Sequence, residues 1–214
     1  MYQRIEGNKW RHIWIMGDLH GCYQQLLTQL RMLRFDPWQD LLICVGDLID
    51  RGPDSLSCLQ LLQKSWFQSV RGNHEQMALD ALSTGEMSTW LVNGGAWYTH
   101  LSAEEHKQAG QALQSCAQLP LILELHCSSG VNIIAHADYP AVQYEWLQPV
   151  DQDALLWNRG RINRLLSGKG DAIRGADHFW FGHTPLKRRF DSENLHYIDT
   201  GAVFGGHLTL VKVQ

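Results

Sequence analysis

The chain is short of the features that mark several large protein classes. Its 214 residues hold five cysteines, Cys22, Cys44, Cys58, Cys116 and Cys127, an odd number with no Cys-x-x-Cys pair. That excludes a disulfide framework or a thiolate zinc knuckle and fits a reducing compartment. No apolar stretch approaches the roughly 20 residues that span a bilayer. The run nearest the N-terminus, Ile13 to Met16, is too short for the core of a signal peptide. A cytoplasmic protein with no membrane partner is expected. Charge is also sparse, with 19% of residues Asp, Glu, Lys or Arg and a formal net charge of −4. That balance argues against general nucleic-acid binding, although a local basic pocket remains compatible with it. Low-complexity linkers and internal repeats are missing, so residues 1–214 are expected to form one domain with a sizeable core.

What is present is concentrated in four short motifs: Gly17-Asp18-Leu19-His20-Gly21, Gly46-Asp47-Leu48-Ile49-Asp50-Arg51-Gly52, Gly72-Asn73-His74-Glu75 and Gly182-His183. Each of the first three follows an apolar run that reads as a buried strand: His12–Met16, Leu41–Val45 and Phe67–Arg71. A leucine-spaced helical segment follows the first (Cys22–Leu33) and the second (after Pro53), and Met77–Leu82 follows the third. Three such β-turn-α units imply a largely parallel sheet, whose ligands gather at the carboxyl ends of its strands. Residues 85–118 read as helical, interrupted at Asn93-Gly94-Gly95, and are placed to cover one side of that edge. The remainder is richer in strands, over 121–126, 131–135, 178–181, 195–198 and 208–213, joined by loops that include Leu166–Gly175.

Asp, His and Asn bind divalent metals through oxygen and nitrogen. A two-metal site needs one bridging anion, neutral ligands on each side and open positions for water and substrate. Asp18 and His20 alternate around Leu19, so an extended strand end would point both to one face. Asp47 holds the same place in the next unit, Asn73 offers a carbonyl oxygen from the third, and His136 and His183 can add imidazoles. A thiolate-free donor set of this kind suits Mn²⁺, Fe or Zn²⁺.

The motifs GDLHG, GDLIDRG and GNHE resemble the PPP-type serine/threonine phosphoprotein phosphatases within the wider metallophosphoesterases. His136-Ala137-Asp138-Tyr139-Pro140, Trp157-Asn158-Arg159, Phe181-Gly182-His183-Thr184-Pro185 and Tyr197-Ile198-Asp199-Thr200-Gly201 are similar to the small bacterial and phage lambda members in particular. The resemblance runs from about residue 11 to the end. It implies an α/β metallophosphoesterase fold, a central sandwich of two mixed β-sheets flanked by helices, with two divalent metal ions at one edge, Mn²⁺ foremost. By position, Asp18 and His20 would hold the first metal, Asp47 would bridge, and Asn73, His136 and His183 would hold the second. Arg51 and Arg159 match a phosphate clamp, His74 the general acid and Asp50 the carboxylate that orients it.

The implied activity is hydrolysis of phosphoserine and phosphothreonine in proteins, with some phosphotyrosine activity, by direct attack of a metal-bridging hydroxide. None of the cysteines begins a Cys-x5-Arg loop, so no phosphocysteine step is expected. A dinucleoside polyphosphate hydrolase is the enzymatic alternative, and a non-catalytic phosphoprotein-binding module the alternative of another class. Plainer roles are expected elsewhere. The nine tryptophans read as packing, Glu75 as a helix-start residue, and Cys22 as a small buried hydrophobe. Asp138 either orients His136 or caps a turn. Lys187-Arg188-Arg189 reads as a solvated face, or alternatively as a contact for acidic flanks of a phosphopeptide. The other histidines, His178 among them, are expected at the surface or in packing.

Overall fold

The computed structural model describes residues 1–214. The elements in chain order are β1 (Tyr2–Glu6), β2 (His12–Met16), α1 (Tyr23–Met32), β3 (Asp40–Cys44), α2 (Ser55–Gln60), β4 (Phe67–Ser69), α3 (Asn73–Thr84), α4 (Ser88–Val92) and α5 (Ala103–Ser115). Then follow β5 (Ile122–Cys127), β6 (Gly130–Ala135), α6 (Gln152–Trp157), α7 (Gly160–Leu166), β7 (His178–Phe181), β8 (Phe190–Ser192), β9 (Leu195–Tyr197) and β10 (Leu210–Lys212). They build two mixed sheets, a four-stranded one ordered β10-β2-β3-β4 and a six-stranded one ordered β1-β5-β6-β7-β9-β8. In the first, β2, β3 and β4 are parallel and β10 is antiparallel.

The sandwich follows from which faces are apolar. Ile13, Ile15, Leu41, Ile43 and Val45 of the smaller sheet interleave with Leu123, Leu125, Ile134 and Trp180 of the larger one, all buried. Truncating one of these to Ala typically costs about 2–5 kcal/mol. The outer face of the small sheet is covered by α1, α2, α3 and α5, which contribute Leu26, Leu59, Ala78 and Leu113. The outer face of the large sheet packs against α6 and α7 through Leu155, Leu156, Ile162 and Leu165. Strand β3 is buried at all five positions because both its faces are covered.

The two-sheet α/β architecture agrees with the expectation. Four elements differ from it. Strand β1 pairs in parallel with β5 from Tyr2↔Ile122 to Glu6↔His126, yet its half-polar YQRIE lacks an apolar run because it is an edge. The stretch between β6 and β7 contains two short helices, α6 and α7, too brief to show a full apolar period. Strand β8 pairs antiparallel with β9 and is likewise short. No helix is long and apolar enough to cross a membrane, and all five cysteines are free.

Candidate metal centre

The ends of β2, β3 and β4 in one sheet and of β6 and β7 in the other open onto a common edge. Eight non-glycine residues in the chain have positive φ, and five lie here: His20 (43°), Asp47 (52°), Asp50 (76°), Arg51 (69°) and His183 (65°). Left-handed backbone costs a non-glycine residue roughly 1–2 kcal/mol, and strain gathered at one place is a mark of functional sites. The expected alternation of Asp18 and His20 along a strand end is corrected by this geometry. Strand β2 ends at Met16, and a left-handed turn at His20, not the pleat, aims its ring.

The turns are tied together from within. Leu19 N–H and His20 N–H donate to the Asp47 carbonyl at 3.0 and 2.8 Å. Glu75, fully buried, accepts from Asp47 N–H (3.0 Å), Leu48 N–H (2.8 Å) and Gly72 N–H (2.9 Å). It therefore clips the second motif to the third as well as capping α3, more than the helix-start role expected of it. The motif glycines are required by close approach. A Cβ on Gly72 would sit 2.1 Å from Asp47 Oδ1, and one on Gly182 would sit 1.9 Å from Asp18 Oδ1.

Two groups of candidate ligand atoms share one residue: His20, Asp47 and His74 form the first, and Asp47, His136 and His183 the second. Asp47 Oδ2 stands 3.5 Å from His20 Nε2 and 3.4 Å from His136 Nε2. Asn73 Oδ1 lies 2.9 Å from both His136 Nε2 and His183 Nδ1. Asp18 is outside both groups, and both its oxygens face the His183 N–H at 3.2 and 3.0 Å.

The tautomers test whether this set fits a metal. Nδ1 of His136 is 2.8 Å from the Val45 carbonyl, and Nδ1 of His20 is 2.8 Å from the Ile49 carbonyl. A carbonyl only accepts, so each Nδ1 carries the proton and each Nε2 is left to face inward. For His136 that nitrogen faces the oxygens of Asn73 and Asp47, an arrangement satisfied by a cation between them or by a second ring proton, which burial opposes but Asp47 favours by raising the imidazole's affinity for one. For His20 it meets the Arg51 guanidinium, Nη1 at 2.7 Å.

Charge points the same way. Burial, reinforced by Asp199 and Asp47, pushes Asp18 well above the usual carboxylate range. Burial likewise raises Asp199 to about 6 and Glu75 to about 7, each with a further push from Asp47. Burial lowers His20 and His183 to about 3, keeping both imidazoles neutral with a lone pair free. Asp47 resists its own burial because His136 and His74 hold it well below the carboxylate range. So many buried acids with so few buried cations fit a site built for bound divalent ions.

A cavity of about 280 Å³ faces this cluster, lined by Asp47, Asn73, His74 and His183, with Arg51, Arg159, Asn93 and Trp157 at its walls. His74 Nδ1 is 2.7 Å from Asp50 Oδ2. The Asp50 carboxylate also accepts from the indole N–H groups of Trp90 (2.9 Å to Oδ2) and Trp97 (2.7 Å to Oδ1). These two tryptophans flank Asn93-Gly94-Gly95, and the Gly94 carbonyl accepts from Arg51 N–H at 3.2 Å. Reading all tryptophans as packing missed them; two tryptophans beside a double glycine, in the segment expected to cover the edge, were the available signal. Arg159 donates from Nη2 to the His183 carbonyl at 3.3 Å.

Asp138 does not touch His136. It accepts from Arg161 Nε (2.7 Å), Asn158 Nδ2 (2.8 Å) and Tyr139 N–H (2.8 Å), and so anchors the segment that carries Arg159. Lys187 and Arg188 are exposed outside the cavity, and Arg189 is engaged by Asp191 (2.8 Å) and stacked on Trp180. His178 contacts His196 instead of the centre, Nδ1 to Nε2 at 2.9 Å.

The calcineurin-like phosphoesterase family model matches residues 11–208. The chain belongs to this family. As a calcineurin-like phosphoesterase it is similar over its whole length to serine/threonine-protein phosphatase 1 of Salmonella typhimurium, with 58% identity over 100% of this chain and 97% of that protein. It is 44% identical to serine/threonine-protein phosphatase 2 of Escherichia coli, over 100% of this chain and 98% of that one. Among solved structures, a cold-active protein-tyrosine phosphatase from a Shewanella species shares the fold, with a TM-score of 0.58, 19% identity, and coverage of 98% of this chain and 77% of that one.

Proposed function

We infer that this calcineurin-like phosphoesterase is a metal-dependent serine/threonine-protein phosphatase formed by one catalytic domain, residues 1–214. The observation that carries the reading is Asp47: one buried carboxylate common to two imidazole groups, facing a cavity walled by two arginines. Asp18 and His20 would hold one ion, Asp47 would bridge, and Asn73, His136 and His183 would hold the other; Mn²⁺ is the proposed activator, with Fe and Zn²⁺ as alternatives. Ions bound there would supply Lewis acidity at the phosphoryl oxygens and a nucleophile derived from water near neutral pH.

The chain's own groups supply the rest. A ligating His20 has no lone pair left for Arg51, so in the loaded protein that guanidinium is free to turn to the cavity. Arg51 and Arg159 then neutralise the phosphoryl oxygens, a task for which a planar guanidinium suits better than an ammonium. The departing serine or threonine oxygen is a poor leaving group and takes a proton from His74 Nε2. Asp50 stabilises the imidazolium through Nδ1, and the indoles of Trp90 and Trp97 keep its carboxylate in place. Phosphotyrosine, a better leaving group, needs that proton less.

The reading is tested by following phosphate release from phosphoserine peptides and from diadenosine tetraphosphate at equal Mn²⁺ concentration. Faster turnover of the peptides is expected. Metal-replete protein that binds phosphopeptide without releasing phosphate is not a phosphatase, and preference for the dinucleotide would reassign it to polyphosphate hydrolysis.

A further inference from the structure

A second depression, of about 940 Å³, adjoins the catalytic cavity across a wall one residue thick. Trp157 and Arg159 line the cavity, and Asn158 between them lines the groove. Four cations surround the groove: Arg161, Arg164, Lys169 and Arg174. Arg161 is committed to the floor, where it pairs with Asp138 and donates to the Tyr139 and Ala141 carbonyls at 2.8 and 3.1 Å. Arg164, Lys169 and Arg174 are exposed and form no ion pair or side-chain hydrogen bond within the protein, Arg164 acting on Asp138 only at longer range. Opposing them in the groove is the carboxylate of Asp171, the other acid, Asp138, being taken by Arg161 and Asn158. An excess of positive charge is thus gathered at one place on a chain whose net charge is −4.

We propose that this groove binds acidic residues flanking the phosphorylated residue of the protein substrate. The proposal rests on the phosphatase reading and deepens it by naming the substrate class, phosphoproteins with acidic flanks. Two observations select that occupant. The three free cations complement carboxylates, and the groove begins at the residue next to Arg159, where the phosphate would be held. An extended peptide advances about 3.4 Å per residue, so side chains roughly two to five positions from the phosphoresidue reach it. The groove has no aromatic lining, so the base of a dinucleotide would find nothing there to stack on.

The test compares two phosphoserine peptides of equal length, with Asp or Asn at the positions roughly two to five residues to either side. Three exposed ion pairs predict a kcat/KM about tenfold higher for the acidic peptide at low ionic strength. The difference should lie in KM, because flank binding is equal in ground and transition states. It should shrink towards unity at about 0.5 M salt. The variant Arg164→Glu/Lys169→Glu/Arg174→Glu should invert the preference. Lys169→Gln, a milder change on an exposed loop, should narrow it about twofold and serves if the triple variant does not fold. Equal kcat/KM for both peptides in the wild-type protein, with both turned over, overturns the groove proposal alone. A preference that persists unchanged in the variants places its source elsewhere and overturns it as well. Release of phosphate from neither peptide overturns the phosphatase reading beneath it.

Discussion

The two sheets contribute to the site in different ways. The four-stranded sheet presents three successive βα turns, each with a compact motif in which strand end, turn and candidate site residues lie close together in sequence, the first two turns being left-handed at His20 and at Asp47, Asp50 and Arg51. The six-stranded sheet gives only His136 after β6 and His183 after β7, 47 positions apart in sequence but on parallel neighbours paired at Ile134↔Trp180. One half is a set of local devices; the other is assembled by strand pairing. Asp47 joins them, since it alone belongs to both imidazole groups. The largest effect is therefore expected from Asp47→Asn, which should empty both positions together. A loss of about 4 kcal/mol or more of transition-state stabilisation corresponds to a fall in kcat of about 10³-fold or more. Metal analysis of the purified variant is the decisive measurement; retention of one ion per chain would contradict the bridging role and split the halves into independent sites.

His74 and Asp50 sharpen the contrast from within the first half, because His74 has its Nε2 near Asp47 and its Nδ1 on Asp50. If His74 is an acid and not a ligand, His74→Asn keeps its metal content. Its kcat on phosphoserine peptides should fall by roughly 10²–10⁴-fold, with a smaller drop on p-nitrophenyl phosphate, whose leaving group needs no proton. Loss of metal, or an equal drop on both substrates, would make it a ligand instead. A smaller effect of the same kind is expected for Trp97→Phe, which removes one of the two indole donors to Asp50. A hydrogen bond to a charged group is worth about 1.5–3 kcal/mol, so a fall of about tenfold in kcat is expected, confined to the poor leaving group. Equal loss on both substrates would point to general disruption of the α4 region.

How much could be read in advance follows the same division. The motifs were legible because close approach to Asp47 Oδ1 and Asp18 Oδ1 demands glycine and leaves a local trace in Gly72 and Gly182; the parallel units were legible from the repeated strand-turn-helix pattern, and the two-sheet sandwich only through the family resemblance those motifs carry. The tryptophan clamp was not, since Trp90 and Trp97 reach Asp50 over 40 and 47 residues of separation and an indole in a core looks the same in sequence as an indole donating to a carboxylate. Of the two roles open to Asp138, orienting His136 or capping a turn, the structure has only the second, and its main partners were hidden for a related reason. Proximity in sequence favoured His136, whereas the chain returns Asn158 and Arg161 to it across 20 and 23 residues. The basic groove was also hidden, because its cations come from α7 and the loop after it and never form a run.

The smallest effect concerns stability and again sets one sheet against the other. Each sheet has a buried carboxylate held below its ordinary range. Burial alone would raise Asp40 at the start of β3, but Arg11 outweighs it, with contacts of 2.9 and 2.7 Å. Burial alone would also raise Glu124 in β5, but Tyr144, His126 and Arg4 together lower it, Arg4 from 2.7 Å. A depressed carboxylate binds fewer protons in the folded than in the unfolded chain. Its contribution is therefore complete above the unfolded value of about 4 and is lost as pH falls through the lower folded value. Thermal melts of Asp40→Asn and Glu124→Gln near pH 7 should lie below the wild type, by on the order of 1–3 °C for Asp40→Asn, and the gap should close as the pH is taken below about 4. The Glu124→Gln gap should be the wider, because three side chains lose a charged acceptor there, against one arginine and the Asp36 N–H (2.9 Å) at Asp40. A gap that stays constant down to acid pH in either variant would mean that shape and hydrogen bonding, and not charge, hold that sheet edge.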